Sequence, residues 1–305
     1  MKQLVECVPN FSEGRRPEVI EAIVAPFRSR RGVSLLDWRA DADHNRLVVS
    51  LAGEPGPLQE ALLESAKAAI ACIDLRLHEG AHPRIGAVDV IPFVPLRGIS
   101  MEDCVTLARG FGRRFSRETG VPVYLYEEAA LRPERRRLEA VRRGQFEALR
   151  EEIARPDRAP DFGQARVHPS AGATAIGARR FLVAFNVNLA TADLDVAKSI
   201  ARTVRESGGG MPHVKAVGVA LKERGMVQVS MNVTDHEKAP LHLVLEAVRS
   251  EAGRRGVAVA ETELYGLAPA AALLDSAAHY LQLAGFTRDQ AIELRLLDLE
   301  EKDDE

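Results

Sequence analysis

The densest cluster of reactive side chains in the chain is His78-Glu79-Gly80-Ala81-His82-Pro83-Arg84. Glycine and proline punctuate it, so it reads as a loop, and a loop held by a rigid sheet is where catalytic groups tend to sit. Imidazole titrates near neutral pH, and a histidine with an arginine two residues on, as His82 has in Arg84, suits general acid–base work. The plainer alternative is a histidine that only hydrogen-bonds its own turn. The four-residue spacing of His78 and His82 also matches a zinc-binding helix, but Gly80 and Pro83 break a helix there and no metal is expected.

A second cluster, Asp37, Arg39, Asp41, Asp43, His44, Asn45 and Arg46, reads as a charged loop between two strands. Its carboxylates could orient a histidine and its arginines could hold a substrate carboxylate; a solvated hairpin loop would look the same. The third is Asp161-Phe162-Gly163 followed by Gln164, Ala165, Arg166, Val167, His168, Pro169, Ser170, Ala171 and Gly172. Small residues there let backbone amides approach a ligand, although the spacing is neither that of a dinucleotide fingerprint nor that of a P-loop. Gly208-Gly209-Gly210 reads as a flexible helix-to-strand connection. Cys7, alternating with Val5, reads as a small buried hydrophobe rather than a nucleophile.

These loops need a scaffold, and the apolar pattern supplies one. Residues 4–8 read as a strand, Ile20, Ile23, Val24 and Phe27 as a helix introduced by Pro17, and 33–36 with 46–51 as a hairpin. Leu58, Leu62, Ala66, Ala69 and Ile73 recur at helical spacing before a strand at 88–94, where Pro92 predicts an edge or a bulge. Ser100 and Asp103 cap an amphipathic helix through Cys104, Leu107, Ala108, Phe111 and Phe115, and 121–126 is a further strand. Residues 134–154 read as a charged helix whose Arg135, Arg136 and Arg137 form a solvated face. The second half restarts with strand 181–187, helix 196–204, hairpin 214–221 with 227–233, helix 241–248, strand 257–264 and helix 273–281. Residues 287–305 read as a short capped helix and an acidic tail. Each half approximates β-α-β-β-α-β, so two ferredoxin-like α/β sandwiches are predicted, over 1–180 and 181–305.

At 305 residues with 46% hydrophobic side chains, the chain is long enough and apolar enough for two cores. A formal charge of −3 gives no basic excess, which argues against nucleic acid or an anionic membrane as partner. Cys7, Cys72 and Cys104 are odd in number and widely spaced, so no disulfide framework is expected. The N-terminus lacks the apolar stretch of a signal peptide and no run reaches a membrane span, so a cytoplasmic protein is expected.

VECVPNFSEG at 5–14, DADHNR ending at Arg46, HEGAHPRIGAVDVIPF at 78–93, VPVYLYEEAA at 121–130 and PDFG at 160–163 resemble the glutamate formiminotransferase family. So do SAGAT at 170–174, GARRFLVAFNVNL at 177–189 and VQVSMNVTD at 227–235, and together they cover residues 1 to 285 in order. The resemblance implies transfer of a formimino group from N-formimino-L-glutamate to N5 of tetrahydrofolate, as a co-substrate, within histidine degradation and one-carbon metabolism. It implies two α/β subdomains with a folate groove between them and a homodimer. The histidine of its H-P-R motif, the family's acid–base, falls on His82, and its folate-contacting stretch on Gly163 to Gly172. Asp37, Asp41, Asp43, Arg46 and Arg84 are candidates to support His82 or hold a carboxylate.

Two positions depart from the animal pattern. Arg39 stands where animal members have an aspartate, so a carboxylate partner for His82 must be sought at Asp37, Asp41 or Asp43. Ala171 stands where they have an aromatic. The second, cyclodeaminase activity of the animal proteins is expected to be missing here and to reside, if present, on a separate polypeptide. Formyl transfer from N-formylglutamate is the near alternative, and a folate-binding module without turnover the distant one. The acidic side chains near the motifs favour the formimino donor, an amidine that can carry positive charge.

Overall fold

The structure, a computed structural model, describes residues 2–303, with side chains as far as residue 297. Contacts divide it into Lys2–Arg179 and the chain from Arg180 onward. The first unit opens with β1 (Leu4–Cys7), β2 (Asn10–Phe11), α1 (Pro17–Ser29), β3 (Val33–Asp41), β4 (Arg46–Gly53), α2 (Pro55–Cys72) and β5 (Val88–Arg97). The interrupted pair β1 and β2 lies between β4 and β5, antiparallel to both, and β3 pairs with β4 at the edge. This is the ferredoxin-like strand order. It arises because α1 and α2 each carry an apolar stripe at helical spacing, Ile20, Ile23, Val24 and Phe27 on one and Leu58, Leu62, Ala66 and Ala69 on the other, all buried against the sheet.

The chain then adds α3 (Met101–Thr119), β6 (Val123–Glu127), α4 (Leu138–Val141), α5 (Gln145–Glu152) and β7 (Thr174–Ala178), with β7 inserted parallel between β5 and β6. Ser100 and Asp103 form the expected reciprocal cap on α3, and Gly120 ends it in the left-handed conformation. Pro92 does not mark an edge, because β5 is central; it sits opposite the break between β1 and β2, where the partner strand also leaves its ladder. β3 is longer than its sequence suggests: a register shift between Leu35 and Asp37 lets the strand run on to Asp41, so Asp37 and Arg39 lie on strand and not on loop.

Residues 134–154 are not one solvated helix. The break between α4 and α5 ends at Gly144, and both Gly144 and Gln145, the first residue of α5, have positive φ. Arg135 is buried, its guanidinium 2.8 Å from Asp161 and 5.0 Å above the Tyr124 ring, so it ties this segment to β6. α4 and α5 cover the other face of the sheet through Val141 and Leu149, packed with Ile85, Val90, Tyr124 and Tyr126.

The second unit is β8 (Val183–Leu189), α6 (Leu194–Val204), β9 (Val214–Leu221), β10 (Met226–Val233), α7 (Leu241–Gly253) and β11 (Val259–Tyr265), followed by α8 (Ala270–Tyr280) and α9 (Ile292–Asp303). Its sheet is antiparallel in the order β11-β8-β10-β9, the same ferredoxin-like order, and α6 and α7 bury Ile200, Val204, Val244 and Val248 in one core. Gly208 to Gly210 are closely packed: Cβ atoms on Gly208 and Gly210 would lie 1.8 and 2.3 Å from backbone oxygens of α6. The acidic tail is helical through Asp303, and its last two residues lie outside those described. Among the described residues no helix is long and apolar enough to cross a membrane.

Candidate functional site

Three segments of the first unit meet where the sheet ends: 10–16 after β1, the β3–β4 turn at 42–46, and 78–87 leading into β5. Asn45 joins them. It is held at φ 47°, its amide donates to the Glu79 carbonyl at 2.9 Å, and its side-chain oxygen accepts from the Gly14 backbone at 2.9 Å. Ala81 N–H donates to the Asp43 carbonyl, Ser12 Oγ to the Gly86 carbonyl and Arg15 Nε to the Ala42 carbonyl, at 3.1, 2.7 and 2.8 Å. The approach is close enough to require glycine: a Cβ on Gly80 would lie 2.3 Å from the His44 carbonyl oxygen, and one on Gly14 2.1 Å from that of Asp41. The result is a pocket lined by Asn10, His44, Arg46, His82, Arg84 and Asp89, among others.

The two histidines of the H-E-G-A-H motif have different surroundings. His78 lies 3.0 Å through Nε2 from the Asn45 carbonyl and accepts from Arg84 Nε at Nδ1, 3.1 Å away, so both its ring nitrogens are committed and the neutral Nε2–H form is the one that fits. Burial, with Arg84 adding to it, pushes its pKa below the ordinary value. His82 lines the pocket itself. Burial first, then the positive Arg46, Arg142 and His44, push its pKa down to about 2, which leaves a neutral imidazole able to accept a proton. The unperturbed value near ~6.5 that the residue type suggests is therefore not what this environment gives.

Of the five supporting residues, Arg46 and Arg84 line the pocket with His82 and the three aspartates do not. Asp37 accepts from Arg39 at 3.1 Å on β3. Asp41 instead accepts the His44 backbone N–H at 2.8 Å and lies 3.0 Å from His44 Nδ1; these bonds outweigh partial burial and hold its carboxyl below the usual range. Asp43 contributes its carbonyl to the loop clamp. Arg46 is in the pocket, where it donates to Asn10 Oδ1 at 2.8 Å. Arg84 is buried and divided between His78, Gln145 and Glu147, so it organises the loop and has little left for a ligand. The carboxylate proposed to face an amidine is thus not supplied by Asp37; Asp89 is the acidic residue lining the pocket, and it pairs with Arg142.

The stretch Gly163 to Gly172 has two ends with different neighbours. Gly163, Gln164, Arg166, Val167, His168 and Pro169 line a 470 Å³ cleft against Ser116, Thr119 and Gly120 at the C-terminal end of α3. Ala171 and Gly172 are buried on the other side, where Ala87 N–H donates to the Ala171 carbonyl and Ala173 N–H to the Ile85 carbonyl, both at 2.9 Å. His168 and Gly172 exchange backbone hydrogen bonds at 2.9 and 3.0 Å, closing the hairpin between the two ends. The stretch therefore runs from the cleft to the segment three residues past His82. Its strand β7 was not legible beforehand: Thr-Ala-Ile-Gly-Ala is buried on both faces and has no alternation. Among the described residues no group of three His, Cys, Asp or Glu side chains is placed to hold a metal ion.

Comparison with known proteins decides the family. Residues 4–179 match the model of the formiminotransferase domain, N-terminal subdomain, and residues 184–299 that of the formiminotransferase domain. The chain belongs to the formiminotransferase family. It is 48% identical over 298 residues to a glutamate formimidoyltransferase of Streptococcus pyogenes serotype M1, covering 97% of this chain and 100% of that one. A glutamate formimidoyltransferase of Thermoplasma acidophilum is 46% identical over 295 residues, with 96% and 97% covered. A formimidoyltransferase-cyclodeaminase of Rattus norvegicus is 46% identical over 286 residues, which span 92% of this chain and 53% of the rat protein.

Several pocket residues of this formiminotransferase-family chain carry no sequence signal of their own. Asn10 and Asn45 appear only as members of motifs, and Arg142, which pairs with Asp89 behind the pocket lining, is one arginine among many. Asp89 could have been found: a carboxylate inside the apolar run Val88 to Phe93 is expensive to bury unless paired, so it announces a partner. That partner is Arg142, and Asp89 also accepts the Ile85 N–H at 2.8 Å.

Proposed function

We propose that the chain transfers the formimino group of N-formimino-L-glutamate to N5 of tetrahydrofolate, with His82 as the base. The observation that carries this is the division between the two loop histidines: His78 is locked into the scaffold at both nitrogens, while His82 is held neutral in a pocket beside Arg46 and Arg142. N5 attacks the formimino carbon and must lose its proton, and the glutamate nitrogen leaves only once it gains one. A neutral imidazole can take the first proton, worth about 10²–10⁴-fold in rate. Both substrates are anionic, so their carboxylates suit the positive side of the pocket; Arg46 is the candidate contact and Arg84 is not. Carboxylates bound there would also raise the proton affinity of His82 during turnover.

The cleft lined by Gly163 to Pro169 supports a folate site along that stretch, and the same reading takes in a homodimeric, cytoplasmic enzyme of histidine degradation. Sedimentation at about twice the 33.3 kDa chain mass checks the dimer. The activity is tested by assaying purified protein with tetrahydrofolate and each donor in turn. Turnover of N-formiminoglutamate at a higher kcat/KM than N-formylglutamate is expected, and the reverse order would replace the donor.

A further inference from the structure

Three imidazoles line the pocket: His78 is committed to the scaffold at both nitrogens, His82 is the base, and His44 has so far been given no part. His44 sits on the β3–β4 turn with its ring centroid 6.4 Å from that of His82 and the ring planes 60° apart. At that separation one heavy atom can lie within hydrogen-bond reach of both rings. Asp41 fixes His44 twice, through the backbone N–H at 2.8 Å and through Nδ1 at 3.0 Å. A carboxylate can only accept, so Nδ1 carries hydrogen, and the proton given into the pocket is the one that the imidazolium form carries on Nε2. The turn beneath is clamped by the contact between Gly80 and the His44 carbonyl, so the ring has a fixed base.

We propose that His44, oriented by Asp41, donates the proton to the departing glutamate nitrogen while His82 accepts the proton from N5. This rests on the formimino-transfer reading and deepens it. The two rings differ in what they are bonded to: His44 rests on the Asp41 carboxylate, while the charges that act most on His82 are cations. His44 has the Asp41 carboxylate from β3, with Asp43 and Arg46 on its own turn, Arg15 bonded to the adjacent Ala42 carbonyl, and Glu79 and His82 on the facing loop. His82 has Arg46, Arg142 and His44, with Asp89, paired to Arg142, lining the same pocket.

The protons balance. N5 forms a bond to the formimino carbon and yields its hydrogen to His82 Nε2 or Nδ1. The bond from that carbon to the glutamate nitrogen then breaks, the electron pair staying on nitrogen and taking the proton of His44. Products are 5-formiminotetrahydrofolate and glutamate, with His82 one proton richer and His44 one poorer. Transfer between the rings through a bridging water, or exchange with solvent, restores the start.

His44→Gln in the full chain should lower kcat with N-formiminoglutamate by about 10²-fold, with KM for both substrates within a few-fold and the melting temperature unchanged. The basic limb of its kcat–pH profile should vanish. A merely structural His44 would change stability or KM and leave the limb in place. A kcat within three-fold of the parent with an unchanged limb overturns the proposal. A readout independent of turnover is the NMR titration of the His82 ring: removing a positive neighbour in His44→Gln should raise the pH at which it titrates, and no change would show that His44 carries no proton to give. Failure of the parent protein to turn over N-formiminoglutamate would count against the function instead, and the titration would still decide the part of His44.

Discussion

Arg84 and Glu147 lie 63 residues apart in sequence and meet in a two-pronged pair, with N–O distances of 2.9 and 2.7 Å. The pair fastens the loop bearing His82 to α5, on the face of the sheet that α4 and α5 cover. Arg84 also donates to the Gln145 side chain at 3.2 Å, so the start of α5 is part of the mounting of His82.

Glu147→Ala should therefore lower unfolding free energy by about 2 kcal/mol, since a guanidinium that stays buried loses two charge-assisted hydrogen bonds. Arg84→Lys should lose a similar amount, because an ammonium cannot span both oxygens and His78. Urea denaturation of the three proteins checks this. A change below about 0.5 kcal/mol in both would mean that the loop is held elsewhere.

Within Gly163 to Gly172, glycine and ligand contact separate. Gly172 has φ 71°, and a Cβ there would lie 2.2 Å from the Ile85 carbonyl oxygen and 2.8 Å from Leu75. Gly172→Val should thus destabilise the fold by about 2–3 kcal/mol, whatever it does to folate. Arg166 is exposed at the cleft, so Arg166→Ala should leave the melting temperature alone and weaken tetrahydrofolate binding about 10-fold by calorimetry. Unchanged affinity would make the cleft a structural feature only.

Acid should destabilise the protein through His82. Its folded pKa is depressed to about 2 while the unfolded chain titrates near ~6.5. Below ~6.5 the unfolded state therefore binds a proton that the native state excludes, and stability falls with pH down to about 2. His78 and His168, also depressed by burial, act in the same direction. His82→Asn should flatten the fall between pH 6.5 and 4 in urea titrations at about stepwise pH, and an unaltered slope would mean that the ring is protonated when folded.

Much of the scaffold could be read from spacing, because helices of this kind bury one stripe: Ile20, Ile23, Val24 and Phe27 are all in the core, as are Cys104, Ala108, Phe111 and Phe115. What resisted reading has physical causes. Thr174 to Ala178 shows no alternation because both its faces are covered. Arg135 looked solvated because sequence does not reveal that Asp161, 26 positions on and beyond both α4 and α5, reaches it. The H-E-G-A-H-P-R motif and the D-A-D-H-N-R turn could be named separately. Their meeting depends on Asn45 bridging Glu79 and Gly14, and such convergence exists only once β4 and β5 flank the same strand pair.

The most direct test of the account is a single-turnover measurement of formimino transfer from N-formiminoglutamate to tetrahydrofolate by the parent chain and by His82→Ala, with folate affinity measured alongside. The account predicts a loss of at least about 10²-fold in the transfer rate with affinity nearly unchanged. Transfer within a few-fold of the parent rate would contradict it and remove His82 from the chemistry.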